Sequence, residues 1–139
     1  MTTRDELLQA IMHYATAHGG AALVDDIALS WWRIVQKFSP LIGATSVALI
    51  VERSLEYHLA AFAWLPGAAT PTRPDSVVER LRTSMAAQPA DEILAAHRAL
   101  LTTFIDLTTT LIGARLTDQF LRAAFPANSA GSTTEEKPG

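Results

Sequence analysis

Two histidines are the residues of this 139-residue chain best placed to do chemistry. Helical projection puts His58 among Val51, Ser54, Leu55, Ala61, Phe62 and Leu65, away from Glu52 and Glu56, so it should be buried. His97 falls in the same way among Ile93, Leu100, Leu101 and Phe104. Two imidazoles aimed inward from different long helices, with Phe62 and Phe104 beside them, form the pattern of a ligand pocket inside a bundle. Its most natural occupant would be haem iron held by two axial histidines. A plainer reading is the stronger one. Each ring can be a neutral core histidine hydrogen-bonded to a carbonyl, to Ser54 or to a threonine, because buried polar groups are ordinarily satisfied and imidazole both donates and accepts.

Other site chemistries lack their residues. A dinuclear carboxylate centre needs Glu-x-x-His pairs on facing helices, but Glu56 stands two residues from His58 and Glu92 five from His97. Zinc has no cluster of three ligands, since His13 and His18 fall near the polar side or the end of the first helix, so no metal site is expected. Histidine phosphotransfer through His97 is a third reading. Against it, Ala95-Ala96-His97-Arg98-Ala99-Leu100-Leu101 lacks the lysine and glycine that follow the histidine in phosphotransfer domains, and the ring lies on an apolar stripe. There is no Gly-x-Ser-x-Gly elbow, no phosphate-binding glycine loop and no serine, histidine and acid trio at a recognisable spacing, so an enzyme is not the expectation.

The whole-chain numbers narrow the classes further. At 15.0 kDa the chain fits one core, and 49% hydrophobic residues with 18% charged ones and a mean hydropathy of +0.18 are too apolar for disorder. Eleven basic against fourteen acidic residues leave a charge of -3, with no footprint for a phosphate backbone, so nucleic acid is not an expected partner. Absence of cysteine removes disulfides, thiolate metal sites, cysteine nucleophiles and iron–sulfur clusters. The opening Met-Thr-Thr-Arg-Asp-Glu places an acidic pair where a secretory leader carries cationic and apolar regions, which makes cytoplasmic residence the expectation. The longest uncharged stretches, 38–51 and 57–72, fall short of the ~20 residues that cross a bilayer.

The elements that must carry these residues read as helices throughout, in a single all-α bundle of five to six helices over 1–126 followed by a disordered tail over 127–139. Thr3 and Glu6 make a capping box for helix one, which Gly19-Gly20 should end. Helix two starts at Leu23 and buries Ile27, Ala28, Trp31, Ile34, Val35 and Phe38. Ser39-Pro40 predicts the start of helix three, the central one. Its residues 41–51 should be surrounded, its wet face should begin at Glu52, Arg53 and Glu56, and it should end at Leu65-Pro66-Gly67. Helix four spans about 75–87 with a Ser76 to Glu79 capping box, and Pro89 restarts the chain as helix five. Because its apolar stripe changes sides beyond Gly113, helix five should break near Thr108-Thr109-Thr110 or pack its two halves on different neighbours. Leu41-Ile42-Gly43-Ala44 recurs as Leu111-Ile112-Gly113-Ala114, and Ala60-Ala61-Phe62 as Ala123-Ala124-Phe125, a weak sign of a duplicated three-helix unit.

On helix two, Leu29 and Trp32 fall outside the buried stripe, beside Asp25, Arg33 and Gln36, where a lone molecule gains nothing by exposing an indole. Tryptophan is enriched at interface centres, so these two residues are the expected contact with a second copy. Packing on the chain's own fourth or fifth helix is the competing use. The sequence therefore points to a non-enzymatic, homodimeric regulatory or adaptor module in signalling. Its first alternative is a sensor or carrier enclosing haem or another apolar small molecule between helices three and five.

Overall fold

The computed structural model describes residues 3–17, 22–67 and 73–125. Six helices build it, with no strand among the described residues: α1 (Thr3–Thr16), α2 (Leu23–Ile42), α3 (Ala44–His58), α4 (Pro74–Met85), α5 (Ala90–Ile112) and α6 (Ala114–Ala124). The expected all-α bundle is the observed one. His18, Gly19-Gly20 and the 127–139 tail lie outside the described residues, as does the Thr3 side chain.

Helix α2 is the axis of the bundle, in place of the third helix that residues 41–51 suggested. It packs on α1, α3, α4 and α6, while α3 and α6 also lie against α5. Its inner face buries Leu23, Ile27, Trp31, Ile34, Val35 and Phe38, the stripe expected from helical spacing. With neighbours on so many sides it needs a wide apolar face, and Ser30 is buried too, its hydroxyl donating to the Asp26 carbonyl at 2.9 Å.

Pro40 does not begin a helix. It lies inside α2, two residues from its end, and Ser39 donates back to the Val35 carbonyl at 2.7 Å rather than capping anything. A proline there forfeits one hydrogen bond close to the helix end, which the chain tolerates. The break comes at Gly43, whose φ of +94° and ψ of 143° lie in a region that only glycine occupies readily. Gly113 separates α5 from α6 with φ +92° and ψ 156°, so α5 passes unbroken through Thr108-Thr109-Thr110.

The two elbows match in detail. Gly43 N–H donates to the Ser39 carbonyl and Gly113 N–H to the Thr109 carbonyl, both at 2.8 Å, and each glycine carbonyl then starts the next helix by accepting from Val47 or Thr117. The repeated Leu-Ile-Gly-Ala phrase thus occupies equivalent places in two successive three-helix runs. Residues 41–51 are less enclosed than their lack of charge suggests, because Leu41 and Leu49 are exposed. Helix α3 ends at His58 rather than at Leu65, and Leu65 turns inward from the following turns. Helix α4 starts at Pro74 with Arg73 at its N-cap, ahead of the expected Ser76 to Glu79 box; Asp75 there takes two hydrogen bonds from Arg73 and one from the Ser76 amide.

Candidate functional site

The core of the bundle is an aromatic ladder running from α5 into α2. His97 meets Trp31 edge-on, Trp31 meets Phe104 at 5.5 Å between ring centroids, Phe104 meets Phe38 at 5.8 Å, and Phe38 meets Phe120 of α6 at 5.5 Å. The first three contacts are edge-to-face, which adds to plain area burial because the positive rim of one ring meets the negative face of the next, whereas Phe38 and Phe120 are tilted by 33°. Trp31 Nε1–H donates to His97 Nδ1 at 3.1 Å. That bond determines the tautomer: Nδ1 accepts, so the neutral ring carries its proton on Nε2, which is buried without a partner. Burial lowers the His97 pKa from its ordinary 6.5 to about 3.

His58 sits elsewhere. It is half-buried at the end of α3, its Nε2 2.6 Å from Thr103 Oγ1 on α5. Phe62 lies one turn beyond, edge-on to Trp64, whose Nε1–H donates to Glu92 at 3.0 Å. The four residues considered as a ligand pocket therefore divide. His97 and Phe104 share the aromatic ladder, whereas His58 meets Thr103 of α5 and Phe62 meets Trp64 beyond the end of α3. Both imidazoles already serve protein partners, and a metal at His97 Nε2 would require that nitrogen to lose its proton while Nδ1 keeps accepting from Trp31. The His97 ring, 1% exposed, also presents no face to a phosphoryl donor. Among the described residues no three His, Asp or Glu side chains are grouped to hold a metal, and no helix is long and apolar enough to cross a membrane.

One buried polar pair had no counterpart in the sequence reading, which put Glu52 on a wet face. Glu52 is 5% exposed and pairs with Arg80 of α4, while Arg80 Nη1 donates to the Gly67 carbonyl at 2.9 Å. This pair ties α3, α4 and the chain after α3 together. The available signal was the position of Glu52 next to Val51 and Leu55, which flank it on the inner side of the same helix.

Several large apolar residues remain exposed on the outer surface. Leu29 is 43% and Trp32 37% exposed, side by side on α2. Two shallow hollows flank Trp32 along the α2–α4 seam. One of about 370 Å³ is lined by Asp25, Ala28, Leu29, Val78 and Glu79; the other, about 410 Å³, includes Gln36, Ser39, Thr45 and Arg73. A separate groove of about 530 Å³ between α3 and α5 exposes Leu49 and Leu111, with Glu52, Arg53 and Glu56 along one side. That groove is not legible in the sequence, because Leu49 and Leu111 come from different helices. Comparison with protein-family models, curated proteins and solved structures finds no match to this chain.

Proposed function

We propose that this protein works by association, as a homodimeric helical module of regulatory or adaptor type, and that the Leu29–Trp32 face of α2 is its contact surface. The observation that carries the reading is an indole and a leucine left open to water on the helix around which the bundle is built. Helix α4 borders both through Val78 and Glu79 without covering either fully. Burying a large side chain that is half exposed is worth roughly 1 kcal/mol, and interface energy concentrates in such central aromatic anchors. The polar chemistry of the interior supports the same reading, because His97 and His58 are engaged with Trp31 and Thr103 rather than with an open cavity.

Sedimentation of the parent protein tests the proposal. The expected species is twice 15.0 kDa, moving towards the monomer on dilution, with Trp32→Ala and Leu29→Ala shifted to monomer at concentrations where the parent is paired. A parent that stays strictly monomeric at every concentration rejects it.

A further inference from the structure

We infer that the groove between α3 and α5 binds a zwitterion with an apolar tail, namely an α-amino acid whose side chain is large and hydrophobic. This site is separate from the α2 face and does not depend on self-association through it. The groove measures about 530 Å³, room enough for such a molecule, and its walls are largely hydrocarbon, with Leu49 and Ile50 supplied by α3 and Leu107 and Leu111 by α5. A concave apolar wall with a few polar groups along it is the usual form of a small-molecule site. Leu49 is 52% and Leu111 58% exposed, so this hydrocarbon is open to an incoming side chain.

Charge specifies the head of the ligand. On the opposite side of α4, exposed ions satisfy one another, Arg73 with Asp75 and Arg82 with Asp25. Arg53 and Glu56 do not. Both are exposed, both line the groove, and neither charged group meets a partner among the described residues, each other included. Three residues apart on one helix, they are neighbours. A cation and an anion held side by side but unjoined complement a molecule that carries both charges on adjacent atoms: its carboxylate accepts from the Arg53 guanidinium, and its ammonium donates to the Glu56 carboxylate. Glu52, one turn before Glu56, also lines the groove. It is buried, Arg80 engages its Oε2, and its Oε1 has no donor. An ammonium has three N–H groups, so it is the donor that this side of the groove lacks. An amine without a carboxylate leaves Arg53 unmatched, and an acid without an amine brings a third carboxylate to Glu52 and Glu56, where like charges repel.

Titration of the full chain with L-phenylalanine, 2-phenylethylamine and 3-phenylpropanoate, followed by two-dimensional NMR, varies the head group while the ring stays constant. The expected result is a saturable shift of the Leu49, Ile50, Leu107 and Leu111 amides with L-phenylalanine, and binding about fivefold weaker for each single-headed analogue. Arg53→Ala should bring the amino acid down to the level of the amine, and Glu56→Gln down to the level of the acid. Both positions are exposed, and unshifted signals from the rest of the chain report that each variant is folded. Absence of a saturable shift in the groove overturns the proposal, as do analogues that bind as tightly as the amino acid or shifts centred on Leu29 and Trp32. A dimer that Leu111→Gln converts to monomer also overturns it, because a second copy then occupies the groove.

Discussion

Trp31 donates its indole N–H to Nδ1 of His97, joining the central helix to α5 by a hydrogen bond within the core. Replacing Trp31 with Phe leaves Nδ1 a buried acceptor with no donor, in addition to the volume lost. The expected cost is about 2–4 kcal/mol in denaturant unfolding. Adding His97→Leu should recover part of that loss, because removing both polar partners abolishes the unmatched group. A double mutant no more stable than Trp31→Phe alone would show that packing, and not the hydrogen bond, dominates the site.

Acid should unfold the protein partly through His97. Its folded pKa of about 3 lies below the ordinary 6.5, so on acidification the unfolded chain takes up this proton first. Stability from the neutral ring is therefore fully present above pH 6.5 and is lost as pH falls towards 3, by up to about 1.4 kcal/mol per pH unit. Unfolding free energies of parent and His97→Leu, measured between pH 7 and 5, should converge at the acid end; parallel curves would count against it.

Breaking the Glu52–Arg80 pair should be costly, because Glu52 is buried and Arg80 is its partner from another helix. Arg80→Ala is expected to destabilise by about 2–4 kcal/mol, while an exposed pair such as Arg82 with Asp25 should contribute under ~1 kcal/mol. Thermal melts of Arg80→Ala and Arg82→Ala side by side give the comparison, and equal shifts would deny the buried pair its special weight.

Gly43→Ala and Gly113→Ala should each cost about 1–3 kcal/mol, since both backbones sit at φ near +90°. A Cβ at either site meets no close neighbour, so the penalty is one of backbone conformation and should be similar at the two elbows. Gly67→Ala, with open space around it and no positive φ, serves as the neutral control.

Local periodicity was sufficient for much of this molecule. The start of α2 at Leu23, its buried stripe from Ile27 to Phe38, the exposed pair Leu29 and Trp32, and the approximate extent of α4 follow from side chains repeating every three to four residues between proline and glycine signals, whereas the end of α5 at Ile112 does not, since the change of stripe allowed a break near Thr108-Thr109-Thr110. The Leu-Ile-Gly-Ala repeat marked both elbows, although only backbone angles identify the glycine as the break. What periodicity cannot supply is the identity of the neighbour across each face. Pro40 could open a helix or be absorbed near the end of one, and the choice fell to the packing of α2 and to Gly43. His58 and His97 project alike, yet α2 encloses one while the other stays half-open beside Thr103. Glu52 reads as a solvated carboxylate until α4 delivers Arg80 across from it. Faces are a property of one helix and its side-chain spacing. Burial, tautomer and ion pairing depend on two helices meeting, and that information resides in the tertiary structure.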